Sequence, residues 1–236
     1  MIIDVSEHNG VINWNKVKPQ IEGAIIRVGY GQDLHKQDDN RAAANISACE
    51  VGGIPYGVYL YSYADTMDKV QGEINHMRRI VDRLAFMTGH GPTMGIWYDL
   101  EEYGCRCIWT DAAKAWVKAF GADGGIYVSA AYADKYIPDG YRKWVAAWGK
   151  NTGDIPASKT CPVNAEIWQY TSRGRIDGIY GYVDLDTYVK TSAAKDYRTV
   201  DDIVTGVCNG DFGNGEARKD ALYEYIQRKV NERYKR

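Results

Sequence analysis

Eight short apolar segments recur along the first 190 residues, and stretches with helical periodicity separate the first five of them. The apolar segments fall at 2–5, 24–28, 56–61, 94–100, 125–128, 144–148, 166–170 and 182–185, and they are rich in Val, Ile, Tyr and Trp. That composition suits strands. Helices are expected at 14–20, 40–51, 66–86 and 111–120. In the third, Val70, Ile74, Met77, Ile80, Val81 and Leu84 form one stripe at three- and four-residue spacing. Thr110 or Asp111 is placed to cap the fourth. Eight strands with crossover helices predict an α/β chain folded as an irregular, TIM-like β/α barrel, least regular in its second half. An open doubly wound sheet is the competing architecture, but no G-x-G-x-x-G follows the first strand.

The pattern stops near residue 190. Residues 191–198 read as a polar linker, and 199–236 as a small helical module of two pieces around the Gly-rich turn 209–215. A module that short does not usually hold a self-sufficient core. It is expected to dock on the first domain or to mediate self-association.

A formal net charge of -2 gives no reason to expect nucleic acid or an acidic membrane as partner. No run of 18 apolar residues offers a membrane span. Asp4 interrupts the apolar start, so the N-terminus does not read as a signal peptide. Synthesis in the cytoplasm and action after release are the expectation. The five cysteines, Cys49, Cys105, Cys107, Cys161 and Cys208, are odd in number and irregularly spaced, which is no disulfide framework. Cys105 and Cys107 lack the second pair that a zinc site needs, and neither a metal nor a cofactor is expected. The unusual figure is 19 Tyr and 7 Trp against 3 Phe. Flat rings with a polar tip suit amphipathic ligands, of which sugars are one class.

The most informative segment is Met94-Gly95-Ile96-Trp97-Tyr98-Asp99-Leu100-Glu101-Glu102. Residues i and i+2 of a strand share a face, about 6.6–6.8 Å apart. On a barrel strand Asp99 and Glu101 would thus project together at the C-terminal mouth, where barrel active sites lie. Like charges so close resist joint ionisation, so one of the two should stay protonated near neutral pH, as protonation of a glycosidic oxygen requires. Asp4 ends the first apolar segment, and Asp184 and Asp186 lie in the last one. Closure of the barrel would bring these strands side by side. Carboxylate clusters also hold Mg²⁺ or Ca²⁺, which keeps a second chemistry in view.

Taken in order, the motifs resemble glycoside hydrolase family 25 muramidases. They are Asp4-Val5-Ser6 with Asn9-Gly10 and Trp14, then Tyr98-Asp99-Leu100-Glu101, then Trp168-Gln169-Tyr170-Thr171-Ser172 with Val183-Asp184-Leu185-Asp186. The resemblance spans residues 1–190 and implies a flattened β/α barrel. It also implies cleavage of the β-1,4 bond between N-acetylmuramic acid and N-acetylglucosamine of bacterial peptidoglycan, as in phage endolysins. Glu101 matches the family's proton donor, and Asp4, Asp99 and Asp184 its other active-site acids. Leu60 departs from the pattern, since many members carry histidine there; facing away from Tyr59 and Tyr61, it should change packing alone. Residues 200–231, with Gly210-Asp211-Phe212-Gly213-Asn214-Gly215 and Arg218, resemble a small cell-wall-binding repeat, in which Arg218 matches an arginine that binds muropeptide.

On this reading Glu101 is the general acid, and Asp99 raises its proton affinity. Asp184 or Asp4 serves as nucleophile, or the substrate's N-acetyl group attacks instead; both routes stay open. Tyr61, Tyr127, Trp148 and Trp168 are expected to line sugar subsites, with Gln169 and Asn9 as hydrogen-bonding partners. Trp97 and Trp144 are assigned to packing, and His35, His76 and His90 to the surface. The rival functions are an inactive peptidoglycan-binding barrel and a chitinase-type enzyme acting on other amino sugars.

Overall fold

The computed structural model describes residues 1–156 and 160–189. Of the C-terminal segment it describes only residues 203, 204, 207, 222, 223, 225 and 226, all helical. The chain divides into two compact units, Met1–Val189 and Lys190–Arg236. The linker, Arg218 and most of the expected module lie outside the described residues.

Eight strands close into a barrel in chain order: β1 (Ile2–Val5), β2 (Gly23–Tyr30), β3 (Tyr56–Tyr61), β4 (Ile96–Asp99), β5 (Gly124–Ser129), β6 (Arg142–Ala146), β7 (Ile167–Gly174) and β8 (Val183–Tyr188). Five helices follow the first five strands: α1 (Trp14–Val17), α2 (Ala42–Gly52), α3 (Met67–Thr88), α4 (Trp109–Phe120) and α5 (Ala130–Tyr136). The sequence reading did not include α5; at seven residues it is too short to display a periodic stripe. The second half is irregular, as expected, and in a definite way. β8 runs antiparallel to both β7 and β1. A reversed strand begins where its neighbours end, so the early residues of β8 join the C-terminal ends of the others.

Strand alternation splits the apolar residues into two cores. Ile3, Val5, Ile26, Val28, Val58, Leu60 and Tyr98 point outward under the helices, with Val70, Ile74 and Met77 of α3 and Trp116 of α4 packed on them. Ile2, Ile25, Trp97, Tyr127, Trp144 and Ile167 point inward and fill the barrel. Each such burial stabilises the fold by roughly 1.5–3 kcal/mol. The inner core is an aromatic plug: the Trp144 ring lies 4.5 Å from Tyr127, 5.7 Å from Tyr59 and 5.9 Å from Trp97, centroid to centroid. Gly125 makes room for it, because a Cβ there would sit 2.3 Å from Trp97 Cζ3.

Two local expectations change. Helix α4 starts at Trp109, and Thr110 Oγ1 donates to the Tyr136 carbonyl (2.8 Å), tying α4 to the end of α5, so neither Thr110 nor Asp111 caps it. His76 is fully buried, with Nε2 2.8 Å from Asp38 Oδ1 and Nδ1 3.1 Å from the Gly31 carbonyl. A polar partner on each ring nitrogen is what allows an imidazole inside. Leu60 lies in the outer core, away from the barrel lumen.

Candidate active site

Above the aromatic plug the lumen opens into a cavity of about 280 Å³ lined by Asp4, Tyr59, Asp99, Glu101, Tyr127, Trp144, Trp148, Gln169, Ser172 and Asp184. Three strands, β1, β4 and β8, deliver the four acids. Asp4 is one residue from the end of β1, and its register partner on β8 is Asp184. Asp99 closes β4, and Glu101 stands two residues further, at the rim. Because β8 is reversed, Asp184 meets the other acids from its own first turn of strand. Asp186, two residues deeper on the same face, lies below the cavity with no solvent exposure.

Burial and crowding set the protonation of the group. Asp99 is pushed well above the usual carboxylate range, first by burial and then by Glu101 and Asp184, with Arg27 opposing. Its Oδ1 is buried without a hydrogen-bond partner. Asp4 is also raised strongly by burial, and by Asp184 and Asp186. Asp184 is raised to about 6 by burial and by Glu101. Glu101 is raised by loss of hydration and by Glu102, although its side chain still reaches solvent at the rim. From their spacing, Asp99 is expected to raise Glu101. In the folded chain the heavier shift falls on Asp99, the deeper of the two. Asp184 is thus the inner acid most readily ionised at neutral pH.

Gln169 organises one wall. Its Nε2 donates to Asp4 Oδ2 (2.8 Å), and its Oε1 accepts from Tyr127 Oη (3.0 Å) and Trp148 Nε1 (2.8 Å). Among the expected sugar-contacting residues, Tyr127, Trp148 and Gln169 line the cavity. Tyr61 sits outside it at the rim, its hydroxyl donating to Glu102 Oε2 (3.3 Å). Trp168 is a correction: Ile167 and Gln169 face the lumen, so alternation turns Trp168 outward, where it is 3% exposed and donates to the Ala147 carbonyl. Asn9 is another. Its Oδ1 accepts from Ser6 N (2.9 Å) and its Nδ2 donates to the Tyr182 carbonyl (3.4 Å), so it fixes the loop after β1 and does not line the cavity.

Four residues escaped the sequence reading. Tyr59 and Ser172 line the cavity, and Trp144, assigned to packing, both plugs the barrel and floors the site. Arg27 projects from the inward face of β2. Its guanidinium is held by Asp39 Oδ2 (2.8 Å) and Glu7 Oε1 (2.9 Å), and it approaches His8 Nε2 (3.2 Å). An arginine inside the apolar run Ala24-Ile25-Ile26-Arg27-Val28 was the available signal. The period-two pair Tyr59 and Tyr61 was the signal for Tyr59. Ser172 left none. Among the described residues no acid, cysteine and histidine cluster suited to a metal ion occurs.

The model for glycosyl hydrolases family 25 matches residues 3–179. The chain belongs to glycosyl hydrolase family 25. Membership makes it a glycoside hydrolase of muramidase type, in line with the motifs around Asp4, Asp99 and Glu101. Lysozyme M1 of Streptomyces globisporus is 25% identical over 215 residues, covering 81% of this chain and 68% of that protein. The catalytic domain of endolysin ply40, from bacteriophage P40 of Listeria monocytogenes, superposes with a TM-score of 0.68 at 21% identity, over 80% of this chain and 92% of its own. The modular autolysin LytC of Streptococcus pneumoniae, solved with a synthetic peptidoglycan ligand, gives a TM-score of 0.61 at 26% identity, over 78% of this hydrolase and 45% of LytC. A second model, the CW_7 repeat, matches residues 201–234.

Proposed function

We propose that this family 25 hydrolase is a lysozyme of the endolysin kind, made in the cytoplasm and released to act on the cell wall. It cleaves the β-1,4 bond between N-acetylmuramic acid and N-acetylglucosamine. The observation that carries this reading is the convergence of Asp4, Asp99, Glu101 and Asp184 on one aromatic-walled cavity at the barrel mouth. Glu101 is the general acid: it stands at the rim, reachable by substrate, with its proton held by burial and by Glu102. As the C1–O bond breaks, the Glu101 proton passes to the leaving oxygen and positive charge develops on the sugar ring. Asp184, in the same cavity, supplies an ionised carboxylate to that charge. Glu101, now a carboxylate, takes a proton from the incoming water as its oxygen bonds C1, and the acid is restored. Tyr127 and Trp148 present aromatic surface to the sugar, and Gln169 holds Asp4 in place. The segment after residue 198 is proposed to bind cell wall, with Arg218 on muropeptide, which is supported by the CW_7 match.

Borohydride reduction of the products from purified peptidoglycan tests the bond assignment. New ends reduced to N-acetylmuramitol are expected. N-acetylglucosaminitol ends, or cleavage of chitin oligomers in preference to peptidoglycan, would overturn it. Deleting residues 196–236 should lower pelleting with cell walls; undiminished pelleting would remove the binding role.

A further inference from the structure

Asp186 sits below the site and does not line the cavity, and the steps above leave it without a role. Its register partners are Ile2 on β1 and Gln169 on β7, so it occupies the barrel axis between the two strands that hold Asp4 and its amide partner. It is fully buried. Trp144 Nε1 donates to its Oδ1 (2.7 Å). Its Oδ2 is buried and meets no donor. Its carboxyl lies within interaction range of the carboxyl of Asp4. Two carboxylates cannot hydrogen-bond to each other. A bond forms between them only when one carries a proton, and a buried oxygen left without that bond costs about 1–3 kcal/mol.

We propose that Asp186 is a positioning residue that shares a proton with Asp4 through its Oδ2. Asp4 would then be gripped from two sides, by the proton shared with Asp186 and by Gln169 Nε2. The proposal rests on the reading of this cleft as the muramidase site. Among the described residues the polar groups within range of Asp186 are Asp4 from β1, Trp144 from β6, Gln169 and Tyr170 from β7 and Asp184 from its own strand, and none of these is a cation. Burial, with the Asp184 charge behind it, raises Asp186 to about 8 against the hydrogen bonds of Trp144 and Asp4, and burial raises Asp4 strongly as well, in keeping with a proton held by the pair at neutral pH.

An amide reproduces the protonated acid here. In Asp186→Asn the oxygen can accept from Trp144 while the NH₂ donates to Asp4, and that donor cannot ionise. Leucine removes it. Steady-state hydrolysis of peptidoglycan by wild type, D186L and D186N gives the test, with circular dichroism melts as the check on folding. D186L is expected to lose kcat by about tenfold or more with KM within about threefold, and D186N to recover most of that loss. The ratio of D186N to wild-type kcat should rise from about pH 6 to about pH 9, as wild type loses its donor and the amide does not. A ratio flat with pH, or D186N as impaired as D186L, would overturn the proposal. If D186L fails to fold, the D186N ratio decides alone. Wild-type turnover in the same assay reports on the muramidase reading itself, so the two failures are distinguishable.

Discussion

Gln169 Nε2 donates to Asp4 Oδ2 across 2.8 Å, joining two strands whose residues lie 165 positions apart in the chain. The amide cannot turn over, because Tyr127 and Trp148 both donate to its other end. Asp4 therefore always meets a donor from β7.

Gln169→Glu keeps the acceptor for Tyr127 and Trp148 but sets a carboxyl oxygen against Asp4. Like charge replaces a hydrogen bond in a buried setting. We expect kcat/KM on peptidoglycan to fall by about tenfold or more and the melting temperature to drop at neutral pH. Gln169→Leu should destabilise by about 1–3 kcal/mol by orphaning buried donors. Activity of Gln169→Glu equal to wild type would show that Asp4 does not depend on this bond.

Arg27 is the cation that opposes the raised pKa of Asp99, and its side chain is only 10% exposed. Arg27→Met leaves Asp39, which is fully buried at its side chain, without its ion pair. Breaking a buried pair from one side typically costs about 3–5 kcal/mol. Urea denaturation should show a loss of that order for Arg27→Met and a smaller one for Arg27→Lys. A loss under about 1 kcal/mol would mean that the network holds without the guanidinium.

Gly125→Ala would place its methyl 2.3 Å from Trp97 Cζ3, so the ring must move within the packed lumen. Overpacking of this kind costs about 1–3 kcal/mol. The same urea titration measures it, and near-ultraviolet circular dichroism should report the displaced indole.

Raised carboxyl pKa values fix the sign of the pH dependence of stability. Asp184 at about 6 and Asp186 at about 8 bind protons in the folded chain that the unfolded chain has released. Their contribution is full below the ordinary carboxylate pKa near 4 and is lost as pH rises through about 6 and then about 8. Each proton gives a slope of about 1.4 kcal/mol per pH unit within its window. The melting temperature should fall between about pH 5 and pH 8, and less steeply in Asp186→Asn. A melting temperature that climbs over that interval would contradict the buried acids.

All eight strands and the stripe on α3 were legible because each depends on local alternation or local spacing, while Asp4 and Asp184 were joined to the other acids by barrel closure and the family resemblance. Asp99 and Glu101 are two residues apart, and the parity of a strand is visible in the letters. What was not legible depends on pairing between distant strands. Trp168 and Gln169 both look like subsite residues in sequence. Only the parity of β7 relative to the barrel axis turns one outward and the other in. The reversal of β8, which brings Asp184 to the mouth, arises from the short turn between β7 and β8 and leaves no mark in periodicity. Asn9 looked like a ligand contact because it is polar and follows β1. The need to satisfy the backbone of that loop claims it first.

The most direct test of Glu101 as the proton donor is the turnover of Glu101→Gln on purified peptidoglycan, with cell-wall pelleting measured on the same preparation. Loss of about 10²–10⁴-fold in kcat with pelleting intact is the expected result, since the amide fills the same space but cannot give up a proton. Turnover within about tenfold of wild type would place the acid elsewhere and contradict the assignment.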